Sequence, residues 1–206
     1  PDHRRYLTLI ENLIYYGNHK LFVINSAGSN NLYINMLPLL SSEKNIKKFF
    51  IPLDEEASIS IKTALKTKRI ISSINKVLPI VIPKLTISLE PLEEVLLKNG
   101  EKGIRLQLMS QKNQKAIPLK YESDGIKRII SIIPLLIAVY KHPSITAVID
   151  GIDSNISEHI LNKLLSIISE KGKGQLIFTL HNSLPLEILD NDSIAFTTTK
   201  PSNRYI

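Results

Sequence analysis

Three short segments of this sequence carry side chains that could bind a phosphate-containing ligand. Residues 145–149 are mostly apolar or β-branched and lead into Asp150, as a buried parallel strand does when it brings a carboxylate to a metal at the sheet edge. His181 follows a second apolar run, and its neutral imidazole could donate to a γ-phosphate or to an attacking water. Ser123-Asp124-Gly125 opens a predicted helix, where free amides and the helix dipole favour an anion.

Each segment also has an ordinary structural interpretation, which the residues alone leave open. The serine-led segment could simply cap its helix, with the glycine in the first turn. Asp150 followed by Gly151 suits a turn after a strand, and Asp153 could cap the helix predicted after it. The histidine could be a loop residue without a role.

A phosphate-binding loop is the feature that this sequence lacks. None of its eight glycines begins a G-x-x-x-x-G-K-[ST] match, because Gly172-Lys173 is followed by Gly174 rather than by a hydroxyl residue. Residues 25–30 follow a predicted strand and contain a glycine, but they contain no lysine. We therefore interpret residues 25–30 as an ordinary loop.

The charge balance is basic, with a formal net charge of +7. Such a balance favours a polyanionic partner such as nucleic acid, although dispersed lysines also occur on ordinary solvated surfaces. One grouping, Lys62, Lys66 and Arg69, recurs at helical spacing and could form a single basic face. A second grouping lies within residues 44–48.

Composition excludes several classes of function. The chain has 206 residues, enough for one large domain, and no cysteine, which excludes disulfides, thiol catalysis and cysteine zinc sites. No apolar run reaches the ~18 residues of a membrane span, so we expect none. The first residues lack the pattern of a signal peptide, and we expect a cytoplasmic chain that begins at an internal boundary.

Helices and strands are predicted from periodicity and punctuation. The pattern predicts helices over residues 3–16, 54–77, 125–140, 156–169 and 184–189, with Asp54 as N-cap of the second and Glu55 and Glu56 in its first turn. It predicts strands over residues 20–25, 48–51, 85–89, 104–109, 145–150, 175–180 and 193–198. Residues 85–109 would form a hairpin, expected to cover a sheet edge, and the alternation after residue 121 predicts a parallel sheet covered by helices.

Read together, three stretches resemble the ABC-type ATPases of the SMC and RecF kind: residues 121–130 (YESDGIKRII), 147–154 (AVIDGIDS) and 175–182 (QLIFTLHN). The nearest likeness is to the AAA-family ATPases grouped with the overcoming-lysogenization-defect (OLD) proteins, many of which are linked to phage defence. The resemblance covers residues 117–206. It implies an α/β fold, a P-loop NTPase-like lobe with helices on both faces of a parallel sheet and an antiparallel hairpin. We expect one domain, with helices, short strands and the hairpin in residues 1–116.

The resemblance also implies ATP and Mg²⁺ as cofactors, and it suggests roles for individual residues. The nucleotide-binding and catalytic positions that it matches are Ser123, Asp124 and Gly125 as the signature motif, Asp150 as the Walker B acid that holds Mg²⁺ through water, Asp153 as the D-loop, and His181 as the switch histidine.

Two departures from that family affect the expected activity. The phosphate loop is absent, and Gly151 stands where the family has the glutamate that polarises the attacking water. Loss of a positioned general base typically costs about 10²–10⁴ in rate. We therefore expect no hydrolysis by this chain alone, and ATP binding and turnover only in a complete or partnered enzyme of which this chain is the C-terminal lobe.

The family sandwiches ATP between two heads, with the signature of one facing the phosphate loop of the other. The resemblance thus implies a head-to-head dimer or a Walker A-bearing partner, together with DNA and a nuclease as further partners. Two other classes stay open. The chain could be a non-catalytic interaction or inhibitor protein that keeps an ATPase scaffold, or a basic nucleic-acid-binding module that uses Lys62, Lys66 and Arg69.

Overall fold

A computed structural model describes residues 2–25, 35–40, 49–181 and 187–196, with side chains from Arg4 onward. The helices are α1 (Asp2–His19), α2 (Ile61–Val81), α3 (Asp124–Lys141) and α4 (Glu158–Lys171). The strands are β1 (Leu21–Ile24), β2 (Met36–Leu39), β3 (Phe49–Pro52), β4 (Ala57–Ser60), β5 (Leu85–Leu96), β6 (Lys102–Lys112), β7 (Lys115–Pro118), β8 (Thr146–Ile149) and β9 (Gln175–Phe178). The predicted helices that begin near residues 3, 125 and 156 are confirmed.

The functional segments border a parallel sheet in the order β1-β8-β9. Its register aligns Val23 with Val148 and Val148 with Ile177, so the three strands end at the same edge. Ala147 and Ile149 are fully buried, and they alternate with residues that point to the other face. The predicted strands around residues 145–150 and 175–180 are thus confirmed as neighbours, which gives the α/β class expected from the sequence.

The predicted hairpin is the centre of a separate antiparallel sheet. Strands β5 and β6 pair along their whole length, β4 and β7 pair with β6, and a register shift falls between Pro91 and Glu93. Helix α2 packs on β5, where Asn75 accepts from the Ile87 amide at 2.9 Å and donates to the Ile87 carbonyl at 2.8 Å. The hairpin therefore belongs to its own sheet instead of covering an edge of the parallel one.

Helix α3 is the central element of the core. It is buried on nearly every side from Lys127 to Val139, although Pro134 lies within it. A helix that is apolar all round is expected to be enclosed, and α3 contacts α2, α4 and β8. The first turns of α3 reach the loop after β8. The buried helix therefore holds the segment that begins at Ser123 in a fixed position relative to that loop.

The prediction that the second helix begins at Asp54 is wrong. Residues 57–60 form β4, with Ile59 buried and paired with Ile104, and α2 begins at Ile61. Ser60 is the actual N-cap, and its hydroxyl accepts from the Thr63 amide at 3.2 Å. Pairing with β6 outweighs the capping signal at Asp54, so Glu55 and Glu56 are outside the first turn. The helix also continues past its predicted end at residue 77, with Pro79 inside it.

Other differences concern short elements. The strand predicted over residues 193–198 is wrong in its described part, because a 3₁₀ turn covers Asn191–Ser193 and no strand follows up to residue 196. The first half of the helix predicted over residues 184–189, the loop at 26–30 and the lysines of 44–48 lie outside the described residues, and residues 187–189 form no α-helix. None of the described helices combines the length and apolarity needed to cross a membrane.

Candidate functional site

Asp150 and Thr179 connect the ends of β8 and β9. The Thr179 hydroxyl donates to Asp150 Oδ1 at 2.6 Å and accepts from the Gly151 amide at 2.7 Å. Backbone pairing continues here, because the Thr179 amide donates to the Ile149 carbonyl at 3.1 Å and the Asp150 amide donates to the Ile24 carbonyl at 2.8 Å. The carboxylate predicted at the sheet edge is therefore present there and held in a fixed orientation.

Gly151 has a left-handed backbone conformation, with φ of 56°. A residue with a side chain would pay about 1–2 kcal/mol for that conformation, since its Cβ approaches the following carbonyl oxygen. The position that the resemblance matches to a catalytic glutamate thus has a backbone reason to be glycine. Glycine itself offers no side chain that could act as a general base here.

Asp153 and His181 form the second contact across the same edge. The His181 amide donates to Asp153 Oδ2 at 2.9 Å, and its Nδ1 lies 3.3 Å from Oδ1. The Asp153 side chain is largely buried, whereas the imidazole is 76% exposed. Both oxygens of Asp153 therefore face the histidine, which leaves the rest of the ring accessible to a ligand. An N-cap role for Asp153 is not observed, because α4 has Ser157 as its N-cap residue.

The start of α3 lies against the loop that follows β8. Ser123 caps the helix by accepting from the Ile126 amide at 3.3 Å. A Cβ built at Gly125 would lie 2.3 Å from the Asn155 carbonyl oxygen, so this close approach requires glycine. Asp124 forms an ion pair at 2.9 Å with Lys127, whose ammonium is largely buried. The serine-led segment is thus a helix cap packed beside the Asp150 loop, and its proposed contact with nucleotide stays a prediction.

Arg128 is a buried cation behind this loop that sequence reasoning missed. Its Nη2 lies 3.4 Å from the carbonyl oxygens of Asp150 and Gly151, whereas its Nε and Nη1 are buried and have no hydrogen-bond partner among the residues that the structure describes. Burial lowers the pKa of the guanidinium from its ordinary value, and the nearby Asp150 carboxylate raises the pKa in part. Its position within the mostly apolar segment Ile126–Ile133 was the sequence feature that could have identified it. Thr179 was also missed, and its position in an apolar run two residues before His181 could have identified it.

Mg²⁺ binding can be tested against the donor set. Mg²⁺ keeps several waters and needs one or two carboxylates plus substrate phosphates, so Asp150 oriented by Thr179 is a fitting partner. In the part of the chain that the structure describes, no group of three or more His, Asp or Glu side chains is placed to hold a metal alone. Among the described residues, Asp150 would therefore hold Mg²⁺ together with water and a phosphate ligand.

The basic grouping lies on α2, far along the chain from these segments. Lys62 and Arg69 are exposed, Lys66 is half-buried, and the three share one face because they follow each other by four and three residues. Lys62 falls in the first turn, next to the positive end of the helix dipole. Lys76 extends the same face by two further turns. This face is suited to contact phosphates, although no described contact joins it to Asp150.

Comparison with known proteins finds distant structural likeness alone. No protein-family profile and no curated protein matches the sequence. Similar solved structures include an Smc head domain with a coiled coil and joint from Pyrococcus yayanosii (14% identity, TM-score 0.44, 61% of this chain and 24% of that one). A second is an Smc head bound to the C-terminal domain of ScpA from Pyrococcus furiosus (16%, 0.43, 61% and 31%).

A third structure comes from SMC ATPases studied for ATP-driven dimerization and DNA-stimulated activation (14% identity, TM-score 0.49, 70% of this chain and 87% of that one). The chain spans about a quarter to a third of the length of the first two structures. Likeness at this distance assigns no activity, so function has to be inferred from the residues of the site.

Proposed function

We propose that this chain is an ABC-type ATPase-like lobe that binds Mg²⁺–ATP at the carboxyl edge of its parallel sheet and does not hydrolyse it alone. The observation that carries the proposal is the oriented carboxylate of Asp150, fixed by Thr179 at 2.6 Å beside the histidine that Asp153 holds. This arrangement supports roles for Asp150 as a Walker B acid and for His181 as a switch histidine, since open parallel sheets bind ligands at the carboxyl ends of their strands.

The lack of hydrolysis follows from two features of the chain. No Walker A loop supplies the lysine and the hydroxyl that bind the phosphates and magnesium. The left-handed Gly151 carries no side chain to position a water. A complete site would therefore need a second ATPase head or a Walker A-bearing partner, with Ser123 contributing from the start of α3.

Isothermal titration of the purified chain with Mg²⁺–ATP tests this proposal, together with a phosphate-release assay. We expect weak binding that Asp150→Asn abolishes and that Asp192→Asn, an exposed aspartate outside the site, leaves unchanged. We expect no turnover. Measurable turnover that is lost in Asp150→Ala would contradict the inactive lobe, and binding that survives Asp150→Asn would contradict the site.

On the residue resemblance alone, we extend the proposal to a DNA-related or phage-defence role in which residues 117–206 form the ATPase-like part of one domain. A nuclease partner belongs to the same extension. Co-expression with a Walker A-bearing ATPase encoded beside this chain, followed by ATP-dependent co-purification, tests it. Co-purification without ATP would instead favour a non-catalytic interaction or inhibitor protein.

A basic nucleic-acid-binding module is the second candidate function. The shared face of Lys62, Lys66 and Arg69 on α2 favours it, because each lysine or arginine that contacts a phosphate releases counterions. Fluorescence anisotropy with duplex DNA at several salt concentrations, without nucleotide, tests this role. The triple substitution to glutamine should flatten the salt slope by about 2–3, which the same substitution at Lys98, Lys102 and Lys112 should not do.

A further inference from the structure

Helix α1 carries a wide apolar face that the described structure leaves open. Six of its large apolar residues fall within half of the helix circumference, and we call this set the apolar face of α1: Tyr6, Leu7, Leu9, Ile10, Leu13 and Ile14. Each of them is 52–70% exposed. The opposite half is mostly polar and includes Arg4, Glu11 and Asn12, together with the ring of Tyr15. A helix with such a face in a globular protein normally buries it against another element.

The carboxyl end of α1 is fixed to the rest of the chain, and this defines where the face lies. Tyr16 donates its hydroxyl hydrogen to Thr146 Oγ1 at 2.6 Å, and the Lys20 carbonyl accepts from the Thr146 amide at 2.9 Å. Residues 4–18 are exposed along the helix. The apolar face is therefore presented by a helix that is anchored at one end.

We propose that the apolar face of α1 pairs with the same face of a second copy of this chain in an antiparallel helix pair. At the exposures above, its side chains offer on the order of 700 Å² per copy if a large apolar side chain presents roughly 200 Å² when free. A standard stable interface takes about 800 Å² from each partner. The exposed area of the face is thus somewhat below what a standard interface buries, so the pair would have to bury most of it.

The face is complementary to itself in that arrangement. A two-fold axis between Glu11 and Asn12 would set Ile10 of one copy against Leu13 of the other, and Leu9 against Ile14, because each contact occurs twice about such an axis. It would also set Tyr6 against Gly17. Among the described residues, no atom beyond the local helix lies within 4 Å of a Cβ built at Gly17, which leaves room for the larger ring.

The helix dipoles favour an antiparallel direction for the pair. Arg4 and Arg5 sit at the positive end of their own helix dipole, and an antiparallel neighbour would place its negative carboxyl end, which also carries His19, beside them. A helix that lies on a membrane surface is usually rich in Lys and Arg on its polar face. The polar face of α1 carries Arg4 and Arg5 at one end, but also Glu11, Asn12 and Asn18, and it has no lysine.

Sedimentation equilibrium of the full chain without nucleotide tests the pairing. We expect a concentration-dependent mass up to twice 23.2 kDa. Leu13→Glu should weaken dimerisation by about 30-fold or more, as a central contact would. Asn12→Glu makes the same charge change one residue away on the polar face and should leave the dimer intact. Since Leu13 is exposed within one copy, its substitution should not unfold the chain.

Oxidative cross-linking tests the direction of the pair, since the chain has no native cysteine. Residues 6 and 17 are about 16 Å apart along a helix, and a disulfide needs Cα atoms within about 7 Å. A mixture of Tyr6→Cys and Gly17→Cys chains should therefore cross-link, whereas neither variant alone should. Self-linking of Tyr6→Cys would mean a parallel pair.

A monomer at every concentration would overturn the proposal, whether or not its α1 binds anionic lipid vesicles. Equal weakening by Asn12→Glu and Leu13→Glu would overturn it as well. Loss of thermal stability by Leu13→Glu in a monomer would show that the chain itself covers the face, which also contradicts it. Because nucleotide is absent from each measurement, the result is independent of the proposed Mg²⁺–ATP site.

Discussion

The Thr179 hydroxyl is the donor that orients the Asp150 carboxylate, over 2.6 Å, and the acceptor for the Gly151 amide, over 2.7 Å. The side chain of Thr179, directly after β9, thus determines both the direction of the proposed metal ligand and the turn after it. The orientation of Asp150 therefore depends on strand pairing, because β8 and β9 must be in register for Thr179 to reach Asp150.

Replacing Thr179 by valine should destabilise the fold and weaken Mg²⁺–ATP binding. The buried Gly151 amide would lose its acceptor, at a cost of about 1–3 kcal/mol in the free energy of unfolding. Thr179→Ser keeps the hydroxyl and should lose less than half of that. Urea denaturation followed by circular dichroism measures the difference. Equal stability of the valine variant and the native chain would mean that the contact contributes nothing.

Gly151→Ala should lower the free energy of unfolding by about 1–2 kcal/mol, because its φ of 56° is unfavourable for a residue with a Cβ. Gly151→Asn should cost less, since asparagine tolerates the left-handed region. Gly151→Glu, which supplies the side chain that the ATPase family carries, should be as costly as alanine and should not produce turnover. Phosphate release by the glutamate variant would show that the missing base alone keeps the chain inactive.

The strand ends that carry Asp150 and His181 were easier to predict from the sequence than the start of α2. Asp150 and His181 could be placed because apolar runs ending in a polar residue are local signals of strand ends at one sheet edge. The start of α2 could not, since the competing signal was pairing of residues 57–60 with β6, a contact between distant parts of the sequence. Arg128 was missed because its environment depends on how deeply α3 is buried, which periodicity does not report.

Gly125→Ala should be strongly destabilising, because the added Cβ would lie 2.3 Å from the Asn155 carbonyl oxygen and backbone cannot move away as a side chain can. Overpacking of this kind costs about 1–3 kcal/mol. Gly17→Ala is the matched control: it also lies in a helix, nothing lies within 4 Å of its Cβ, and the change should stabilise by about 0.5–1 kcal/mol. Thermal unfolding of both variants measures the contrast. A tolerated Gly125→Ala would mean that the start of α3 is not held against the loop.

Arg128→Met should leave the stability of the chain equal or higher, since methionine fills a similar volume without two buried, unpaired donor groups. Arg128→Ala should cost about 2–4 kcal/mol, because it leaves a cavity. The methionine variant should also bind Mn²⁺ in the presence of ATP about fivefold more tightly, since removing a positive charge near Asp150 makes the carboxylate more attractive to a cation.

Paramagnetic resonance of free Mn²⁺ measures that affinity, and Lys141→Met, at the opposite end of α3, is the control that should change nothing. Arg128→Lys keeps the charge and should not raise the affinity. Weaker Mn²⁺ binding by Arg128→Met, with folding intact, would mean that the guanidinium positions the Asp150–Gly151 backbone for the metal and that this outweighs its repulsion of the cation. Comparison of Arg128→Met with Arg128→Lys distinguishes a charge effect from a positioning effect. The lysine variant retains the positive charge but cannot contact both carbonyl oxygens.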